Sequence, residues 1–345
     1  AFGSAAALAT ELGVTEAEID DMLNWAKGTD VDDEDGDDDK GDMRSDVFGD
    51  PLHSKPLVVN YGNSIRIVVG TNAGAIHMFE DEGKTVKENW AFMPKEFLKN
   101  IKPLRENFPA EAKVYGIDGQ ITSYVDDLGG DGIINHADGD KVWIFFGLRR
   151  GGSSYYGMDI SNPAAPKLMW HIDASTAGFG ELGQSWSQPK VGNSMLHIEG
   201  SKAKPVLFFG GGYDPSKDNA GPGSPDSVGR AVYMVKAEDG NQILWSMAPS
   251  GGTTTFSGTD SIPSSIGILD SDGDGLVDRL YTGDTGGNLW RVDMPGNKPT
   301  GGTTPWSVFK LASLGGGTNE TDRRFFNEPS IVRTFIMETI QTEIK

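Results

Sequence analysis

The chain has 345 residues, 37% of them hydrophobic and 9% aromatic, enough to bury a core and too many for a wholly disordered polymer. Its formal net charge of −20 repels phosphate backbones and argues against nucleic acid as a partner, and the absence of Cys excludes disulfides and thiolate metal sites. The 47 glycines and 18 prolines lie between short apolar runs, which reads as many turns and an all-β chain. No run reaches the roughly eighteen apolar residues of a membrane helix. Opening on Ala and closing within an apolar segment (331–345), the sequence reads as a piece of something longer.

The first expected element is a helix over 15–27, "TEAEIDDMLNWAK". Thr15 and Glu18 stand at capping-box spacing, Ile19, Met22, Leu23 and Ala26 form one apolar stripe, and Gly28 is a stop. The acidic run 30–42 that follows is a solvated loop. Residues 1–46 are thus expected to form an N-terminal helix and acidic loop, and 47–345 one repeating β-domain with its last unit incomplete.

From about residue 54 a four-part pattern recurs. A short first strand ("SKPLVVN", "ITSYVDD", "WSQPKVG", "PSSIGILD") precedes an apolar run that ends at Gly70, Gly147, Gly210 or Gly283. A third strand ("AIHMFE", "SYYGMDI", "AVYMVKA", "NLWRVDM") and a fourth ("NWAFMP", "KLMWHI", "QILWSM", "WSVFKL") complete each unit. Four strands, four times over, predict a β-propeller of four-stranded blades. The repeats exceed the roughly 40–45 residues of compact blades because of insertions at 95–113, 126–140 and 213–228. "NEPSIVRTF" (327–335) matches the first strand of a fifth unit. Trp90, Trp170, Trp245 and Trp306 fall near the end of successive units and read as packing between blades.

The chemistry concentrates in "DSDGDGLVD", where Asp270, Asp272 and Asp274 alternate, Gly275 permits a sharp turn, and Asp278 closes the loop. Positions 1, 3 and 5 of a calcium loop supply carboxylates and position 7 a backbone carbonyl, here that of Leu276. Position 12 is Tyr281, so Asp278 at position 9 must take the role of the closing carboxylate. Hard oxygen ligands at this flexible spacing favour Ca²⁺ over Mg²⁺. A weaker echo, "DDLGGDGIINHAD" (126–138), has Asp127, Asp131 and Asn135 at positions 1, 5 and 9 but Gly129 at position 3. The five histidines show no metal-protease spacing, there is no G-x-S-x-G, and Lys84 in "GKT" is a turn residue. A non-enzymatic protein is expected.

The helix "MLNWAKG" with its acidic stretch, "VFGDPLHSKPLVV" (47–59), "VVGTNAGAIHMF" (68–79), "FFGLRRGGSSYYGMDISNP" (145–163), "LGQSWSQPKVG" (182–192) and "LYTGDTGGNLWRVD" (280–293) together resemble the C-terminal propeller of the PilC/PilY family. These are type IV pilus biogenesis factors and tip adhesins. The resemblance implies a secreted protein of a Gram-negative bacterium, at the pilus tip and associated with the outer membrane. It implies minor pilins and a host or abiotic surface as partners, and a Ca²⁺ ion held by Asp270, Asp272, Asp274, Leu276 and Asp278 that influences pilus extension and retraction. The competing reading is an enzyme, because "GTNAGAIHMF" and "GDTGGNLWRVD" also resemble repeats of quinoprotein dehydrogenases. In those, calcium sits at the propeller centre beside the quinone, whereas these aspartates form one contiguous turn.

Overall fold

Residues 3–108 and 113–334 are described in a computed structural model, and their strands fall into four sheets that follow one another along the chain. The first holds β1 (Leu57–Asn60), β2 (Ile65–Gly70), β3 (Ile76–Asp81) and β4 (Val86–Phe92). The second holds β5 (Ile121–Asp126), β6 (Lys141–Gly147), β7 (Tyr155–Asp159) and β8 (Lys167–Ile172). The third holds β9 (Lys190–Glu199), β10 (Lys202–Gly210), β11 (Val232–Lys236) and β12 (Ile243–Ala248), with β13 (Thr254–Thr255) added parallel to β12. The fourth holds β14 (Gly267–Leu269), β15 (Arg279–Gly283), β16 (Asn288–Asp293) and β17 (Ser307–Ser313). Within each sheet the four main strands pair in chain order and antiparallel, so each is one propeller blade, as expected.

The apolar runs of the second strands have a direct cause. Phe146 faces the core shared by the first two blades, with Val68 and Ile76, while its neighbour Phe145 faces the core shared with the third, with Leu207 and Phe209. Phe208 in turn packs with Leu280 and Trp290 of the fourth blade. A strand buried on both faces loses the polar alternation of a half-exposed one. The tryptophans join blades as expected. Trp90 Nε1 donates to the Pro163 carbonyl at 3.0 Å, Trp170 Nε1 to that of Ala237 at 2.9 Å, and the Trp245 and Trp306 rings lie 5.4 Å apart.

The glycine that ends each second strand marks a close approach of backbones. A Cβ on Gly70 would lie 2.9 Å from the Ile117 carbonyl oxygen, one on Gly147 2.5 Å from that of Ser185, and one on Gly210 2.3 Å from that of Ile262. Each of these partners leads into the first strand of the next blade. Gly283 repeats the pattern against Phe325, 2.4 Å from its Cβ, which leads into 327–335. That segment lies beside β14, with the Asn327 carbonyl accepting from Ser264 Oγ at 2.9 Å and Pro329 and Ile331 next to Gly267. Residues 327–334 therefore occupy the place of the next first strand without forming one, and Phe335 and the apolar end of the sequence lie outside the described residues.

Three helices pack beside the first blade: α1 (Ala5–Leu12), α2 (Ile19–Ala26) and α3 (Leu98–Glu106). Leu12, Met22, Trp25 and Ile101 join them in one apolar cluster. Only α2 was expected. Its capping box is present, with Glu18 accepting from the Thr15 N–H at 2.8 Å, but the box encloses a 3₁₀ turn and the α-helix begins at Ile19. Lys84 stands in the turn between β3 and β4, closed by the Glu82 N–H on the Thr85 carbonyl.

Candidate metal centre

The loop 270–278 joins β14 to β15, and local chemistry accounts for its shape. The Asp270 carboxylate accepts from the N–H groups of Gly273 (2.6 Å) and Gly275 (2.8 Å), whose φ angles of +87° and +86° suit glycine. These two donors, Gly275 foremost, hold the Asp270 carboxyl below the usual carboxylate range. Asp274 accepts from the Leu276 N–H at 2.8 Å, and Asp278 accepts from both the N–H and the hydroxyl of Ser271.

Carboxylate oxygens of Asp270, Asp272 and Asp278 all lie within 4.8 Å of one another. Oxygens that share one Ca²⁺ at 2.3–2.6 Å are at most about 5 Å apart, so these three fit the ion. Asp274 stands outside that trio, engaged with Leu276, and the Leu276 backbone occupies the seventh position of the loop. The loop is also fixed to the third blade: the Val277 N–H donates to the Asn193 carbonyl at 2.9 Å, and Asn193 Nδ2 reaches the Gly275 carbonyl at 3.4 Å. An ion held here would therefore tie the blade junction as well as the turn.

The loop between β5 and β6 has the same conformation. Asp127 accepts from Gly130 (2.7 Å) and Gly132 (2.8 Å), again with positive φ, and the Gly132 N–H leads in holding its carboxyl low. Asp131 accepts from Ile133 as Asp274 does from Leu276. The closing role passes from Asn135 to buried Asp140, which accepts from the N–H groups of Leu128 (3.0 Å) and Asn135 (2.9 Å). What is missing is the carboxylate at Gly129, whose added Cβ would have room at 3.6 Å from Asp127 Oδ1 and 3.8 Å from Asp131 Cγ. Gly129→Asp is accordingly expected to add one calcium equivalent in a calorimetric titration, and an unchanged stoichiometry would disprove the equivalence of the two loops.

In the acidic run Asp33, Asp35 and Asp37 also gather carboxylates within 4.8 Å, but on a mostly exposed loop. Two polar networks escaped sequence reading. Fully buried Asp118 accepts from Arg149 Nη1 (3.2 Å) and Asn72 Nδ2 (3.2 Å) and lies 2.9 Å from His53 Nδ1, which explains the polar residues in "GDPLHSKP" and "LRRGG". Lys217, in the 213–228 insertion, is buried between Asp226 and Asp260. Asp118 lies 31 to 65 residues from Asn72, Arg149 and His53, and Lys217 lies 43 from Asp260, so no local spacing could announce these meetings.

A model of the PilY1 beta-propeller domain matches residues 57–310. The type IV pilus biogenesis factor PilY1 of Pseudomonas aeruginosa strain UCBPP-PA14 is 27% identical over 284 residues, covering 74% of this chain and 21% of that protein. A PilY1 homolog of Xylella fastidiosa is 26% identical over 240 residues, 68% of this chain and 14% of the relative. The chain thus spans about a fifth or less of the curated relatives it matches. The crystal structure of the Pseudomonas aeruginosa PilY1 C-terminal domain shares the fold, with a TM-score of 0.51 at 23% identity over 78% of this chain and 50% of that one. With the family match running from the first strand of the first blade into the last strand of the fourth, this chain belongs to the PilY1 β-propeller domain family.

Proposed function

We propose that this propeller is a calcium-binding, non-enzymatic module of a type IV pilus biogenesis protein, working at the cell surface near the pilus tip with minor pilins and a surface ligand. The family supports the pilus context, since the matched relatives are type IV pilus biogenesis factors. The convergence of Asp270, Asp272 and Asp278 on one small volume carries the calcium reading.

Bound calcium would supply the positive charge that lets these carboxylates share a turn. The chain's own part is positional. Gly273 and Gly275 orient Asp270, Ser271 orients Asp278, and Asn193 carries the order of the loop into β9. An ion bound only to the folded loop stabilises it by about 2.7 kcal/mol at a hundredfold excess over Kd. That is enough to move the turn and the blade junction between an ordered and a looser state, and so to regulate what the neighbouring face binds.

Calorimetric titration of Ca²⁺ and of Mg²⁺ into the wild type and Asp278→Ala tests this. One Ca²⁺ per chain, weak Mg²⁺ binding and a calcium affinity reduced by more than the 10–100-fold typical of losing an outer partner are expected. Full affinity in Asp278→Ala would place the ion elsewhere, and no binding by the wild type would remove calcium from the mechanism.

A further inference from the structure

We propose a second metal site, of different chemistry, on the third blade: a Zn²⁺-class ion bound by His197, Glu199 and Glu238. The strand geometry places these residues together. While β10 advances from Ala203 to Pro205, β9 runs from Ile198 back to Asn193, so β9 carries an extended bulge, residues 194–197 opposite Lys204, that contains His197. Bulges re-aim side chains, and this one turns His197 inward to 4% exposure. Glu199 ends β9, and Glu238 follows β11, which the antiparallel pairing returns to the same end of the blade.

The ring of His197 is set for ligation. Nδ1 lies 3.3 Å from the Pro205 carbonyl oxygen, which can only accept, so Nδ1 is the donor there and Nε2 is the ring nitrogen left to face a metal ion. An outer hydrogen bond of this kind commonly orients a metal-bound imidazole. Nε2 lies 3.1 Å from Glu238 Oε1 and 4.0 Å from Glu199 Oε1. Despite that closeness, Nε2 has no hydrogen-bond partner among the described residues, and neither has the buried Glu238 Oε2. A proton or a metal cation relieves the repulsion between such electron-pair donors, and the absence of a well-aligned hydrogen bond from Nε2 favours the metal. Ligand atoms at 2.0–2.2 Å from one zinc stand about 3.0–3.5 Å apart, which fits the His197–Glu238 pair, and the exposed end of Glu199 needs only a small rotation to join. Lys204 Nζ, 3.6 Å from Glu199 Oε2, neutralises the outer edge of the cluster without entering it. One imidazole with two carboxylates suits zinc and its neighbours better than calcium. The site shares no residue with the 270–278 loop.

The test is a calorimetric titration of Zn²⁺ into the whole chain already saturated with Ca²⁺, repeated with Co²⁺ and followed by visible absorption. One zinc equivalent is expected in the wild type, with ligand-field bands for cobalt. His197→Gln should abolish both, and Glu238→Gln, at a half-exposed residue that folding tolerates, should weaken zinc at least about tenfold. No zinc uptake by the wild type would overturn the proposal. So would uptake unchanged in His197→Gln and Glu238→Gln, which would point to one of the other histidines.

Discussion

Replacing Lys217 by methionine is expected to destabilise the protein by about 3–5 kcal/mol, the cost of removing one partner from a buried ionic network. Lys217 is 1% exposed, and its Nζ lies 2.9 Å from Asp260 Oδ1 and 3.2 Å from Asp226 Oδ1 while donating to the Ser224 carbonyl. Asp226 is itself fixed by the Ser261 N–H at 2.8 Å and by Thr285 Oγ1 at 2.6 Å. The network therefore ties the 213–228 insertion of the third blade to the entry segment and the β15–β16 turn of the fourth. Methionine keeps the length of the aliphatic stem but leaves two buried carboxylates facing each other with no cation. Urea unfolding should show a lower midpoint at an unchanged slope. The triple variant Lys217→Met, Asp226→Asn, Asp260→Asn should recover part of the loss, because replacing the charges together is far less costly than stranding them. A Lys217→Met variant within about 1 kcal/mol of the wild type would show that the two carboxylates are not left as uncompensated buried charges, and would overturn this reading.

Lys217 also marks where sequence reading stops. In a stretch rich in Pro, Gly and Asp a lysine reads as solvated, and nothing local says that Asp260 will come to meet it. The strands were legible for the opposite reason. The run "KVWIFFG" coincides with β6 because burial on both faces is written into consecutive residues. The 270–278 loop was legible too, since its turn depends on a five-residue pattern of Asp and Gly, and the structure gathers Asp270, Asp272 and Asp278 as that spacing implies while leaving Asp274 aside. The bulge at His197 was not, because it arises from a register shift against β10 that neither strand shows alone. The helices α1 and α3 were missed because one is a short alanine-rich segment and the other holds Pro103 in its interior.

The glycines that ended each apolar run in the sequence served only as punctuation there, and the structure makes them testable as contacts. Gly210→Ala is expected to cost about 3 kcal/mol, at the upper end of overpacking effects, because the added Cβ would lie 2.3 Å from the Ile262 carbonyl oxygen and 2.9 Å from Ile262 Cγ2. The obstruction is backbone, which cannot swing aside as a side chain would. Relief requires the entry of the fourth blade to move off the third, straining the Gly212 N–H bond to that same Ile262 carbonyl (3.0 Å) and the Gly210 N–H bond to Ser187 Oγ (2.8 Å). Gly210 does not have a positive φ, so alanine incurs no backbone penalty there and the measurement isolates the close approach. Gly180→Ala is the matched control, since Gly180 also lacks a positive φ and has nothing within 4 Å of its added Cβ. That variant should be neutral or stabilise by up to about 1 kcal/mol through the unfolded chain. If the two variants unfold at the same denaturant concentration, blade-to-blade backbone contact is not what demands glycine at the end of each second strand. A large difference would extend the same reasoning to Gly283 and Phe325, where the segment following the fourth blade sits against β15 as each earlier entry segment sits against the blade before it.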